Sequence, residues 1–450
     1  MTIKQFKKVL IANRGEIAIR IIRSCRELGI ETVSVHSTAD EDSLHVKMAD
    51  ESVCIGPAKA SLSYLNIPQI LSAADITGAD AIHPGYGFLS EDDEFADLCY
   101  KWGITFIGPS AGCIRQMGDK IRSKILAKEA KVPTLEPITT SNKSLEEIQN
   151  EVKKMGFPIL IKASAGGGGR GMKRINEMTE LASAIDRLGE EAKNAFGDGT
   201  LFIEKYIENP RHIEIQILAD KHGKVLHVGE RDCTIQRRFQ KILEESPSPV
   251  LPDKVRDEMC ESSIRLAKKV GYDSVGTVEF LYDQDTKKYY FMEMNTRIQV
   301  EHPVTEQRTG LDLIAEQIRV SQGYPLDINQ KDILFSRHVM EFRINAENSR
   351  NGMPSPGTIT HYHRPGGLGV RSDDYIYTGY AVPPNYDSMI SKVIVTADTR
   401  EKCIKRAMRA LNEMVVSGIE TNIELHKRIL QNEDFIKNRY STNFLTKILE

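Results

Sequence analysis

The chain has 450 residues, 40% of them hydrophobic, with 60 Lys and Arg against 63 Asp and Glu for a formal charge of −3. That balance excludes a polycationic nucleic-acid binder, and the absence of a long apolar run or apolar leader predicts neither a membrane span nor a secretory signal. Seven scattered cysteines without a C-x-x-C pair read as reduced thiols in a cytosolic, cytoplasmic protein of about three domains.

Residues 8–12 (KVLIA) are a predicted strand. A helix follows with Ile17, Ala18, Ile21, Ile22, Cys25 and Leu28 on one face, and Gly29 stops it. Residues 31–36 are the next strand, so the chain opens as strand–helix–strand, the unit of a parallel sheet. The turn lacks G-x-G-x-x-G, which excludes a nicotinamide or flavin site of that type. Residues 79–83 and 104–107 are further strands. The first runs into HPGYGFLSE (83–91), a sharp turn that suits a ligand edge and a plain structural turn equally.

Gly118, Asp119 and Lys120 open a helix over 121–130. A lysine there opposes the helix dipole and is more natural beside an anion, although alone it reads as a solvated side chain. Residues 157–162 form an apolar strand that ends in Lys162 and runs into Gly166, Gly167, Gly168 and Gly169. Four glycines free their N–H groups to wrap phosphate oxygens. No Lys-Ser or Lys-Thr follows, so the Walker pattern is not met. Residues 201–207 are a strand. Residues 212–218 (HIEIQIL) alternate and are expected as a half-exposed strand partnered by 225–228. Residues 230–241, including Gln236 and Lys241, read as a basic, amide-rich segment, either a solvated loop or a stretch holding an anionic substrate. Cys233 within it is expected as a buried small hydrophobe.

Residues 277–282 and 289–294 are two strands around a polar turn at 283–288. Glu279 and Glu293 lie symmetrically about Thr286, so an antiparallel pair sets their carboxylates opposite each other. Like charges held that way need a cation, and two acids with the Asn295 amide suit a hard metal such as magnesium. Beyond the hairpin, Glu293, Asn295, Arg297, Gln299 and Glu301 take successive odd positions. If extended, that stretch carries five polar groups on one side, as a solvated strand face also would. Residues 352–369 read as turns between short strands, and His361 and His363 lack a third ligand nearby. Residues 392–396 are a strand, and a helix over 400–416 closes the domain rather than doing chemistry.

The segments VLIANRGEIAIRIIR, HPGYGFLSE, MGDK, IKASAGGGGRGM, EKYIENPRHIEIQ, GERDCTIQRR, EMNTRIQVEHPVTE, FRINAEN, MPSPG and YDSMISK occur in order over essentially the whole chain. Together they resemble the biotin carboxylase subunit of biotin-dependent carboxylases, a family of ATP-grasp enzymes. The resemblance implies an α/β (α+β) fold in three parts: a Rossmann-like N-terminal domain at 1–117, an ATP-grasp domain at 118–332 with a mobile lid at about 134–206, and a C-terminal biotin carboxylase domain at 333–450. It implies a ligase of the acetyl-CoA carboxylase type, in which ATP and magnesium or manganese join bicarbonate to biotin through carboxyphosphate. Propionyl-CoA, pyruvate and 2-oxoacid carboxylases use similar chains, and another ATP-grasp ligase is the remaining alternative. Nothing resembles a biotin-carrying tetrapeptide or a carboxyltransferase region, so the expected partners are a separate biotin carboxyl carrier protein and carboxyltransferase subunits, around a homodimer.

Carried over by motif, Lys120 and Lys162 resemble the lysines on the ATP phosphates, and Gly166 to Gly169 the lid loop. Glu204, Lys205 and Ile207 resemble the adenine hinge, His212 the ribose-side contact, and Gln236 a further nucleotide contact. Glu279, Glu293 and Asn295 resemble the metal ligands. Lys241, Arg297, Gln299 and the Val300 backbone resemble the bicarbonate pocket, Glu301 the base that deprotonates bicarbonate, and Arg343 the cation on the biotin enolate. Phe239 stands where the family often has His, Asn385 where Tyr is usual, and Leu368 where a Phe makes a dimer contact; Arg23 and Arg371 of that contact remain.

Overall fold

The structure, a computed structural model, describes residues 3–164 and 171–449. The first region is a five-stranded parallel sheet centred on Lys8–Ile11, which pairs with Glu31–Ser37 on one side and Ala81–His83 on the other. Helix Gly15–Glu27 buries Ile17, Ala18, Ile21, Ile22 and Cys25 against it, as their spacing requires. Gly29 follows the helix with φ +70°, the left-handed conformation that glycine adopts without a Cβ penalty.

A second, four-stranded antiparallel sheet carries Lys162. Its strand Ile159–Ala163 lies between Leu201–Lys205 and Met172–Ile175. The largest sheet has eight antiparallel strands in the spatial order 289–295, 275–283, 210–219, 225–237, 240–246, 338–345, 389–397 and 370–374. It runs without a break from the middle of the chain into its last third. Residues far apart in sequence, from His212 to Arg343, therefore stand on one sheet.

Two expectations about this sheet are corrected. Strand Pro210–Ala219 is buried along its whole length rather than half-exposed. Its alternation separates two buried faces: Ile213, Ile215 and Ile217 join an apolar cluster with Val278 and Phe280, while Glu214 and Gln216 accept hydrogen bonds from Arg231. Period-two polarity marks two environments, and here neither is solvent. Of the two readings of residues 230–241, the solvated loop does not hold. Val225–Arg237 is one strand, the chain turns at Arg238 and Phe239 with positive φ, and Gln240–Ser246 returns beside it. Cys233 is fully buried, as expected of a small hydrophobe.

The helix expected over 400–416 is Arg400–Glu413, with Cys403, Ala407, Ala410 and Leu411 packed into the C-terminal core, and among the described residues three further helices follow it. His361 and His363 sit exposed on a short strand paired with Val415–Ser417. Among the described residues no helix is long and apolar enough to cross a membrane.

Lys392 ties the regions together. Fully buried on Met389–Ala397, it pairs with Glu16 of the first helix at 3.0 Å and donates to the Val300 carbonyl at 2.8 Å. Replacing Lys392 by Ala leaves Glu16 buried without its counter-charge, which costs about 3–5 kcal/mol. A urea titration is expected to show a lower midpoint, partly restored when Glu16→Gln is added. An unchanged midpoint for the single variant would mean that the bridge does not hold the regions together.

Candidate active site

The hairpin forms and sets the two acids opposite each other, but a bulge between Glu279 and Phe280 shifts the register, so Phe280 faces Phe291. Val275–Asp283 pairs with Tyr289–Asn295, Glu279 opposite Glu293 and Thr277 opposite Asn295. The turn holds because the Asp283 carboxylate accepts from the Asp285 N–H at 3.0 Å and the Thr286 hydroxyl at 2.7 Å. One face of the hairpin buries Val278, Phe280, Tyr282 and Phe291, so the acids are presented on a rigid support. The two acids differ. Burial alone would raise the Glu279 carboxyl, but Lys241 and His212 outweigh it and hold the group well below the usual range. Glu293 opens onto the cavity, yet the surrounding protein shields it enough that desolvation, then Glu279 and Glu91, push its carboxyl up. The site thus carries an acid that a further cation would stabilise.

The expected extended row beyond Glu293 does not form. The strand ends at Asn295, and Glu301 is the N-cap residue of helix His302–Thr309. The intervening chain curls, anchored by the Thr296 N–H donating to Glu91 at 3.0 Å. The curl achieves what the row suggested by another route: Glu293, Asn295, Arg297, Gln299, Val300 and Glu301 all line one cavity of about 870 Å³, a ligand-sized space.

Lys241 is the centre of that cavity's charge. Its ammonium lies 2.7 Å from Glu214, 2.8 Å from Glu279 and 2.6 Å from Glu301. Arg343 donates to Glu301 at 2.9 Å and to Glu244 at 2.7 Å. These two cations hold Glu301 well below the carboxylate range despite burial. Arg297 donates to Glu91 at 2.8 Å and to the Asn295 amide oxygen at 2.9 Å. Gln299 donates to Glu279 at 2.7 Å.

At the other end, Lys162 donates to Glu204 at 2.7 Å, and burial with Lys120 nearby brings its ammonium down to about 8. Lys120 begins its helix behind Asp119, whose carboxylate caps the N–H groups of Ile121 and Arg122. Sequence reading missed Lys124. It sits one turn from Lys120, pairs with the same Glu204, and is pushed down to about 7 by burial and by Lys162 and Lys120. Its i, i+4 spacing from Lys120 was the available signal.

Some anticipated nucleotide residues face elsewhere. Lys205 donates to the Gly156 and Phe157 carbonyls, and neither Lys205 nor Ile207 is among the described residues lining the cavity. Glu204 lines it with its carboxylate turned to the lysines. His212 stands at the acid end, 2.9 Å from Glu279, with Gln236 on its other ring nitrogen at 2.8 Å. Gly166, Gly167, Gly168 and Gly169 lie outside the described residues.

Arg231 was also missed. Completely buried, it donates to Glu214, Gln216, Thr277, Thr305 and Gln299, and so aims the Gln299 amide at Glu279. Glu214 lies directly opposite it on the ladder, a pairing that a correct register for 230–237 would have exposed. Arg231→Met removes the fork from Glu214 and Gln299 together, at a cost of about 3–5 kcal/mol. Arg231→Lys recovers only a minor part, because an ammonium cannot reproduce the planar five-donor geometry. Thermal melts of the two variants check this, and a full rescue by lysine would reduce Arg231 to a point charge.

Comparison with known proteins agrees with this architecture. Three family models match in succession: biotin carboxylase, N-terminal domain, over residues 5–114; carbamoyl-phosphate synthase L chain, ATP binding domain, over 119–329; and biotin carboxylase C-terminal domain over 341–447. The chain is 54% identical over 440 residues to biotin carboxylase 1 of Bacillus subtilis, with 98% of each sequence covered. It superposes on the biotin carboxylase–beta-gamma-ATP complex from Campylobacter jejuni with a TM-score of 0.94 at 47% identity, covering 98% of this chain and 99% of that one. It also matches the biotin carboxylase domain dimer of Hydrogenobacter thermophilus 2-oxoglutarate carboxylase, a structure with MgADP, ADP and bicarbonate, at a TM-score of 0.93 and 48% identity, covering 99% and 98%. With likeness this high over nearly its entire length, in sequence and in fold, the chain belongs to the biotin carboxylase family of ATP-dependent ligases.

Proposed function

We propose that this enzyme carboxylates biotin on a separate carrier protein, consuming ATP and bicarbonate, as the first half-reaction of an acetyl-CoA carboxylase. The observation that carries the reading is one cavity with lysines at one end, opposed acids in the middle, and Lys241, Arg297, Gln299, Glu301 and Arg343 at the other. A second reading, a 2-oxoacid carboxylase parent, is raised by the likeness to the Hydrogenobacter thermophilus enzyme, but the relatives named biotin carboxylase do not favour it. Carboxyltransferase subunits complete either complex. We assign the nucleotide-grasping part to residues 118–332, between an N-terminal part at 1–117 and a C-terminal part at 333–450. The expected compartment is the cytoplasm and the expected assembly a homodimer, with Arg23 and Arg371 on the shared face beside Leu368, which is 86% exposed.

Magnesium or manganese fits the donor set. Glu279 and Glu293 offer carboxylates on adjacent strands, Glu293 is destabilised as an anion where it stands, and Asn295 adds an amide oxygen. When bound, the metal supplies charge neutralisation for the phosphoryl oxygens. Lys120 and Lys162 serve the phosphates, joined by the loop at 166–169. Glu204, Lys205 and Ile207 flank the adenine through their connection, and His212 with Gln236 completes the nucleotide side. Lys241, Arg297, Gln299 and the Val300 backbone hold bicarbonate. Glu301 accepts its proton. An anion arriving at Lys241 weakens that cation's hold on Glu301 and so raises its basicity. Arg343, charged at every cellular pH, stabilises the biotin enolate.

ADP release is expected to require bicarbonate and to rise with free biotin; ADP release indifferent to biotin would point to another ligase. Chelation should stop turnover and added magnesium restore it. Glu293→Gln should stay inactive even at high magnesium, and full activity in that variant would remove it from the metal site. Glu301→Gln should lower kcat by about 10²–10⁴-fold, while nucleotide affinity measured by calorimetry stays unchanged. Equal loss of both would make Glu301 structural. Malonyl-CoA formation with added carrier and carboxyltransferase subunits distinguishes the acetyl-CoA parent from the 2-oxoacid parent.

A further inference from the structure

Behind Arg343 lie two acids that the reaction above does not use. Strand His338–Asn345 sets Glu341 opposite Glu244 of Gln240–Ser246, and both are fully buried. Cross-strand neighbours of this kind bring their side chains together on one face. Glu244 Oε1 accepts from Arg343 at 2.7 Å. Its other oxygen and both oxygens of Glu341 have no hydrogen-bond partner among the described residues. Lys392, across the ladder from Arg343, is held by Glu16 and the Val300 carbonyl. Val304, Val339 and Ile394 form an apolar cluster that includes the residue opposite Glu341, so the setting offers little solvation to a second anion. Two bare carboxylates cannot both stay charged there, and three acceptor oxygens call for a donor.

We propose that Glu341 and Glu244 share a single proton, and that this singly charged pair is a positioning device for Arg343. The inference rests on the reading that Arg343 serves biotin. Neutral Glu341 donates to the free oxygen of Glu244, which keeps one negative charge behind the guanidinium. Glu301 supplies a second counter-charge from the cavity side until it takes up a proton. Arg343 then has one anion behind it and its remaining edge free for a substrate oxygen. Loss of the shared proton doubles the negative charge behind Arg343 and draws it back toward the strand.

Burial pushes both acids of the pair up, as it does Glu16, the acid paired with Lys392, while the other groups around them are held in one form. Burial and Glu244 push the Glu341 carboxyl well up against the pull of Lys392, and burial with Glu301 brings the Glu244 carboxyl up to about 7 despite Arg343. His302, at the start of its helix, is held neutral by burial and by Lys392, Arg20 and Arg371. His426, whose ring abuts Phe342, is pushed down to about 4. The Cys233 thiol is raised well above its usual range and Cys403 to about 12. Lys241, Arg343 and Lys392 stay charged, and Glu301 stays ionised. Lys124 and Lys162 also approach neutrality, but they sit at the nucleotide end, where saturating ATP removes their influence from kcat.

The test pairs infrared spectroscopy with kinetics on the full chain. Wild type should show a protonated-carboxyl stretch at neutral pH that vanishes on alkaline titration. Glu341→Gln, which keeps the shape and supplies a fixed N–H donor, should lack that band. With ATP saturating, the biotin-dependent kcat of wild type should fall as pH rises through the same titration. Glu341→Gln should lose that alkaline limb while its KM for ATP matches wild type. A band that persists in Glu341→Gln, no such band in wild type, or superimposable pH profiles overturns the proposal. If Glu341→Gln fails to fold, loss of the band in Glu244→Gln decides. If biotin never stimulates turnover, the functional reading falls, and the infrared result still judges the shared proton.

Discussion

A buried ammonium among three carboxylates is the constraint on which the rest of this structure depends. Lys241 touches Glu214, Glu279 and Glu301 at once. Each of those acids has a second partner: Arg231 for Glu214, His212 for Glu279 and Arg343 for Glu301. Charges taken this far from water are tolerable only in such an alternating lattice. The low dielectric that makes each contact strong also makes the contacts interdependent. Lys241 becomes available to an incoming anion to the degree that Glu279 is neutralised by another cation. On the proposed assignment, a cation at Glu279 and an anion at Lys241 are therefore coupled through one carboxylate.

That lattice requires strands that are distant in sequence to be neighbours. The eight-stranded sheet provides this, because one continuous ladder carries Glu214, Arg231, Lys241, Glu279 and Arg343. The N-terminal region contributes from outside the sheet. Glu91 orients Arg297 and anchors Thr296, and Glu16 reaches Lys392. The turn at 83–91, equally readable as structural, turns out to be what carries Glu91 to the site. Asn13 secures it by donating to the Pro84 and Tyr86 carbonyls at 2.7 and 2.8 Å.

The lysine end follows a different logic. Lys120, Lys124 and Lys162 crowd together, and Glu204 is the carboxylate that pairs with both Lys124 and Lys162. Mutual repulsion and burial lower their proton affinity, so this end gains most from an anionic ligand. Acids in excess toward the hairpin and cations in excess toward the lysine strand give the cavity two poles, which suits a ligand that carries its own negative charge and a neutralising metal.

Local arithmetic made much of this legible beforehand. The facing of Glu279 and Glu293 was expected from their symmetry about Thr286, although a bulge beside Glu279 is what sets it, and the first helix follows from its apolar spacing. The family likeness followed from long contiguous motifs. What stayed hidden were pairings such as Arg231 with Glu214, Lys124 with Glu204, and Glu341 with Glu244. The alternation in 212–218 was read correctly as a strand and wrongly as exposed, since a polar residue looks the same whether it faces water or a buried arginine. The sequence by itself determined which residue types are present and how each short element repeats. Only the tertiary structure decided which buried charge neutralises which, because ionic pairing depends on distance through space and on local dielectric, and neither is written in separation along the chain.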